Sequence, residues 1–228
     1  MMFSIVIPTY EYGGKACEML DDCLKSIESQ TFQDYEIIVT DHSKDNVIKD
    51  YLCKWNLPIK YYKNDRGAGN SSINMNEGIL KSNGKYIKIM HMDDWFCNIR
   101  SLEIIADVID KNPDKKWGGV SFNHYYQHQA TITRFIQAHV NEDIKTLLGC
   151  PSVSFFINDK DGPNLFDENL VIINDSDMHI RLGKKYGNPI LISAFCVTVR
   201  MHDMQVSNNV TSQKHQWEIN YYKRKNFV

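Results

Sequence analysis

A chain of 228 residues can bury one substantial core, and its 43% apolar and 24% charged composition excludes the disordered, collagenous and fibrous classes. A formal net charge of -2 leaves no basic footprint for wrapping a phosphate backbone, so no nucleic-acid partner is expected. The six cysteines, at 17, 23, 53, 97, 150 and 196, form no C-x-x-C pair and read as thiols of a reducing compartment, not as a zinc site or disulfide framework.

The N-terminus opens directly into the strand-like run FSIVIP (3–8), without the basic and apolar regions of a signal peptide, and no apolar run is long enough to span a bilayer. A cytoplasmic location is expected. After Gly13-Gly14, the spacing of Met19, Leu20, Cys23, Leu24 and Ile27 predicts a helix. The strand YEIIVT (35–40) follows, then a helix carrying Val47, Ile48, Tyr51, Leu52 and Trp55, then a strand from Pro58. The Gly, Ser and Asn of 64–76 predict a loop entering a helix through Ile79 and Leu80, which Gly84 closes in a left-handed conformation. YIKIMH (86–91) is the next strand, and Ile99, Leu102, Ile105, Ala106 and Ile109 form the core face of a helix broken at Asn112-Pro113. Beyond 117 strands are expected at 118–126, 131–136, 152–157 and 190–200, with a helix at about 175–186. Alternating strands and helices predict an α/β chain whose mostly parallel sheet is covered by helices.

Asp41 and Asp93-Asp94 stand just past the C-terminal ends of predicted parallel strands, where open α/β sheets bind ligands. Carboxylates there suit Mg²⁺ or Mn²⁺ shared with substrate phosphates. An isolated Asp-Asp pair after a strand is more often a helix N-cap, so other landmarks have to decide.

Those landmarks are SIVIPTYEYGG, VTDHSKDN, NDRGAGNSSINMNEGILKSNGKYI and HMDDW, which in this order resemble the family 2 glycosyltransferases of the GT-A fold. The resemblance runs from about residue 3 to about residue 207. It implies a Rossmann-like, mixed but mostly parallel sheet flanked by helices, in one GT-A domain over 1–210. Residues 1–115 would be the nucleotide-sugar-binding half, 116–210 the acceptor-facing half, and 211–228 a basic and aromatic tail suited either to an anionic membrane surface or to capping the body as a helix.

The resemblance also implies roles for single residues. Pro8, Thr9, Tyr10 and Glu11 would line the nucleotide pocket, and Asp41 would accept a hydrogen bond from the base, such as the ring N–H of uracil. Asn76 and Gly78 match the Asn-x-Gly that brings a helix close to the donor; the family's preceding Arg is missing, with Arg66 or Lys85 as replacements. His91 stands where the metal motif normally has its first acid, which leaves His91-Met92-Asp93 facing the donor, Asp93 as the direct metal ligand and Asp94 beside it. His91 would touch the ribose or the metal, or simply pack. Asp175 takes the place of the catalytic base, with Asn174 where Glu is usual and Asp177 as the fallback; an N-cap is the competing role for both. Arg200 and His202 match a late Arg-x-His that approaches the diphosphate, and Cys150-Pro151-Ser152 would shape the acceptor side.

The implied activity is an inverting transfer from a nucleotide-diphosphate sugar, UDP-sugar first, to a hydroxyl of a glycan or lipid-linked acceptor, with Mn²⁺ or Mg²⁺. Bacterial surface polysaccharide, meaning lipopolysaccharide, O-antigen or capsule, is the implied pathway, at the inner face of the membrane if the tail binds there. A sugar nucleotidyltransferase would share the acids and the metal, but YEYGGK with Lys15 is a poor triphosphate loop. A catalytically silent nucleotide-sugar-binding module is the other alternative.

Overall fold

The computed structural model describes residues 1–141, 146, 147 and 149–227. Strand β1 (Phe3–Thr9) is apolar on both faces because helices cover both sides of it. Its Ile5 and Ile7 join one core with α1 (Ala16–Glu28), while Val6 points to the other. Strand β2 (Tyr35–Asp41), helix α2 (Val47–Leu52) and strand β3 (Ile59–Lys63) continue outward. Helix α3 (Ser71–Lys81) starts at Asn70, whose side-chain oxygen accepts from the amides of Ser72 and Ile73, and it carries the chain back to β4 (Tyr86–Ile89) on the far side of β1. β5 (Trp95–Phe96), α4 (Ser101–Lys111) and the long β6 (Trp117–Tyr126) follow.

The second half adds β7 (Thr131–Ile136), β8 (Val140–Asn141), β9 (Thr146–Leu147) and β10 (Ser154–Ile157), then α5 (Asn174–Tyr186), β11 (Ile190–Met201), α6 (Val206–Asn209) and α7 (Ser212–Phe227). Among the described residues the main sheet runs β3-β2-β1-β4-β10-β6-β11-β5, with β7 paired to β6. β1 to β4 are mutually parallel, β10 is antiparallel to both its neighbours, and β11 is parallel to β6. Because β2 and β4 flank β1, the strand order reverses there and a crevice opens beyond their C-terminal ends. This is the fold type expected from the sequence.

Several local expectations need correcting. Helix α3 ends at Lys81 and its C-cap, Ser82, is extended, so Gly84 does not close it. Gly84 is required for another reason: a Cβ there would lie 2.5 Å from the backbone of Phe3 and Ser4. Gly84→Ala is therefore expected to cost roughly 1–3 kcal/mol, read as a lower denaturant midpoint at unchanged slope. Ile99 precedes α4 and is 57% exposed, so it is no part of that helix's core face, and Val47 is likewise exposed. The strand predicted over 86–91 stops at Ile89, because the chain must turn to bring Asp93 and Asp94 under β11.

Candidate active site

A cavity of about 350 Å³ lies at the switch point, within the size range of small-molecule sites. Pro8, Thr9 and Tyr10 at the end of β1 form one wall, and His91, Met92 and Asp93 after β4 form the floor. The start of α3 contributes Ser71 and Asn74, and the start of α5 contributes Asn174 and Asp175. Cys150, Pro151, Val171 and Ile172 close the opposite side with residues 205–207.

The β1 turn is held in shape by backbone that only a fixed environment tolerates. Tyr12 has φ 51°, which a bulky residue seldom adopts, and is followed by Gly13 and Gly14 at φ 58° and 88°. The result packs Tyr12 against Tyr10 with tilted rings, centroids 4.3 Å apart, and sets it edge-on to His202 at 5.3 Å. Glu11 does not border the cavity; it sits before the 3₁₀ turn 12–14, where its carbonyl accepts from Gly14.

Asp41 is placed differently from expectation. It is fully buried, its carboxylate accepts from Ser43 N–H at 2.8 Å and Tyr61 OH at 2.8 Å, and Lys63 lies 3.6 Å away. With its oxygens so engaged it stabilises the turn after β2 and does not border the cavity, which His42 lines instead. Asn76 is also diverted: its side-chain oxygen accepts from Phe166 N–H at 2.7 Å and its amide donates to Phe166 O at 2.9 Å, pinning that loop to α3. Asn74, two residues nearer the helix start, lines the cavity and donates to the carbonyls of Thr9 and Thr40. Gly78 permits close approach, but of α3 to the sheet, since a Cβ would stand 2.3 Å from Val6 Cγ1. Arg66 forms a two-pronged pair with Glu168 at 2.8 Å, and Lys85 lies at the start of β4, at the opposite end of the strand from the crevice.

At the floor, Asp93 borders the cavity and shares a 2.9 Å hydrogen bond with His202 Nε2. Burial pushes its carboxyl upward, but the hydrogen bond from His202 and the nearby His91 outweigh this and hold it below the usual range. Asp94 lies behind it, accepting from Arg200 N–H at 3.0 Å and facing Cys150 Sγ at 3.6 Å. Burial and the adjacent Asp93 charge push Asp94 up. It caps no helix: α4 begins seven residues later, after Arg100. The ligand atoms of His91, Asp94 and Cys150 lie within 4.8 Å of one another, and His91 Nε2 is buried with no hydrogen-bond partner.

Arg200 does not reach the cavity. Its guanidinium lies 4.8 Å from the centroid of Trp95, donates to Asp93 O at 3.1 Å and pairs with Asp22 at 2.5 Å, so it braces the Asp93-Asp94 turn from below. A phosphate role would require breaking these contacts.

Asp175 stands in the first turn of α5, where its oxygen accepts from Ser176 N–H at 2.6 Å. The N-cap position belongs to Ile173, so capping does not explain the carboxylate. Burial raises its pKa to about 6 against the opposing Ser176 bond. Asp177 is wholly buried beneath the helix, held by Arg181 Nε at 2.8 Å and Lys225 at 2.9 Å, and cannot serve as the fallback base.

The sequence profile of glycosyl transferase family 2 matches residues 4–159. The chain belongs to that family. An uncharacterized glycosyltransferase of Rickettsia typhi is 26% identical over 95% of this chain and 69% of its own length. The poly(ribitol-phosphate) beta-N-acetylglucosaminyltransferase TarP of Staphylococcus aureus is 32% identical over 40% of this chain and 28% of its own. Among solved structures, S. aureus TarS 1-349 in complex with UDP-GlcNAc superposes with a TM-score of 0.74 at 18% identity. That likeness covers 92% of this chain and 62% of the TarS chain, and it shows the GT-A type of fold. This family 2 member therefore spans about three fifths of TarS 1-349, 37% of the fuller TarS chain and a smaller part of TarP.

Tyr12, His42 and Asn74 border or shape the site without having been singled out in the sequence. His42 is one residue past the end of β2, within reach of the strand-end signal, whereas Tyr12 lies three residues past β1 in a 3₁₀ turn that strand periodicity does not reach. Asn74 differs from Asn76 only by helical phase, which a loop-to-helix boundary leaves open. No helix among the described residues is long and apolar enough to cross a membrane.

Proposed function

We propose that this chain transfers a sugar from a nucleotide-diphosphate donor, UDP-sugar first, to a hydroxyl of a glycan or lipid-linked acceptor in bacterial surface polysaccharide synthesis, with inversion. The observation that carries the reading is Asp175. It borders the same cavity as Asp93, from the α5 side, and among the described residues no Lys or Arg pairs with it. A carboxylate free of a cation, and raised by burial, is suited to take a proton from an attacking hydroxyl. Tyr10 and Tyr12 offer ring surface to a base or ribose.

The floor offers donors to a divalent ion: Asp93 at the cavity and, behind it, an Asp94 oxygen within 4.8 Å of the His91 nitrogen and the Cys150 sulfur, with His91 Nε2 buried and without a hydrogen-bond partner. Asp93 would hold the ion, with Asp94 and His91 as its neighbours, and the mixed oxygen and nitrogen donors favour Mn²⁺ over Mg²⁺. When bound, such an ion neutralises charge on the departing diphosphate. The chain's own contribution is to orient Asp93 through His202 and to keep Asp175 desolvated opposite it.

Turnover of a panel of UDP-, GDP- and dTDP-sugars, with and without Mn²⁺, tests the reading; consumption of none of them would sink it. The base must be ionised to act, so kcat is expected to be low in acid, to rise through pH about 6 and to level off above it. A flat profile between pH 5 and 8 would remove Asp175 from that role.

A further inference from the structure

The segment 171–173 lies between the cavity and the C-terminal helix α7, and its amides point at one buried carboxylate. Glu218 is wholly buried and accepts from the N–H groups of Val171 at 3.1 Å, Ile172 at 2.9 Å and Ile173 at 3.4 Å. Its nearest cation is Lys214 at 3.6 Å, itself 42% exposed. A buried carboxylate costs free energy unless hydrogen bonds satisfy it, and these three amides do so. Val171 and Ile172 line the cavity, Ile173 is the N-cap of α5, and Asp175 follows two residues later. From the other side Ser72 of α3 grips the same stretch, donating to Leu170 O at 2.6 Å and accepting from Asn174 Nδ2 at 2.8 Å.

We infer that Glu218 is a positioning residue for the reaction: through the amides of 171–173 it fixes the aliphatic wall of the cavity and the placement of Asp175. The inference rests on Asp175 being the base. Of the two roles the sequence left open for 211–228, Glu218 thus supports capping of the body, since it holds the segment that forms the wall of the site. A misplacement of about 1 Å at a reacting group costs on the order of 100-fold in rate, so the bonds need only shift slightly to matter.

The test compares Glu218→Ala and Glu218→Gln in the full chain, with Lys214→Ala as control. Glu218→Ala is expected to lower kcat by about 10- to 100-fold and to leave UDP affinity within about twofold, because the nucleotide-facing wall is untouched. Glu218→Gln keeps an oxygen that accepts N–H bonds and should recover most of the rate; Lys214→Ala should match the unaltered chain. Amide hydrogen exchange should accelerate at 171–173 in Glu218→Ala and not in the other two. Unchanged exchange at 171–173, an unchanged kcat, or a fall in UDP affinity parallel to the fall in kcat would each overturn the inference. If the unaltered chain transfers no sugar, the functional reading fails by itself, and the exchange pattern still decides whether Glu218 holds the segment.

Discussion

Asp175→Asn should remove sugar transfer by about 10²- to 10⁴-fold while leaving UDP affinity within about twofold. The asymmetry follows from position: the side chain sits at the start of α5, away from the β1 turn where Tyr10 and Tyr12 offer surface to a nucleotide. Asparagine is isosteric and accepts the Ser176 bond, but it cannot take a proton. No neighbour can take over, since Asp177 is committed to Arg181 and Lys225. A silent binding module would show no rate to lose, and retention of transfer within tenfold would assign the proton to another group.

The same substitution has a second expected effect, of opposite sign, on stability. The folded pKa of Asp175, about 6, lies above its ordinary value of 3.8, so folding favours the protonated form. That contribution is fully present below about pH 4 and is lost as pH rises through about 6. At neutral pH the native chain therefore carries a charged, desolvated carboxylate at a cost of roughly 2–3 kcal/mol. Asp175→Asn should be more stable than the unaltered chain at pH 7.5, and the two should converge towards pH 4. Chemical denaturation at both pH values measures this; a variant less stable at pH 7.5 would contradict the burial argument.

Strand and helix periods reached most of the fold because the central parallel strands β1, β2 and β4 are buried on both faces and read as mostly apolar runs. The first half of β11 instead alternates buried and exposed residues, the period-two pattern of a strand with one covered face. What periodicity could not reach was set by tertiary contacts. The two-residue β5 exists only because β11 pairs with it, and Gly84 is demanded by the backbone of β1 across the sheet. In the site, Asp93, read from its strand-end position, and Asp175, read from the family resemblance, both border the cavity. Neither signal could say which way Asp41, Asn76 and Arg200 turn. Each found partners inside the protein: Tyr61 and Ser43, Phe166, and Asp22 with Trp95. Glu218 carried no local signal of this role, since the three amides it accepts from lie 45 to 47 residues away.

Asp93 should separate ion binding from folding when two substitutions are compared. Asp93→Asn keeps an oxygen that can meet His202 Nε2 and removes the charge that helps push Asp94 up. The fold should therefore be retained, with Asp94 titrating lower, while Mn²⁺-dependent UDP affinity falls by at least about 100-fold, because a neutral amide is a far poorer ligand than a carboxylate. Asp93→Ala removes the acceptor as well. His202 is buried and its Nδ1 already has no partner, so the ring would then be left without any, at a cost of about 1–3 kcal/mol. Isothermal titration with UDP, with and without Mn²⁺, beside denaturation of both variants, distinguishes the two effects. If Asp93→Asn binds UDP and Mn²⁺ as the unaltered chain does, the ion is not held at this carboxylate, and the floor of the cavity has some other purpose.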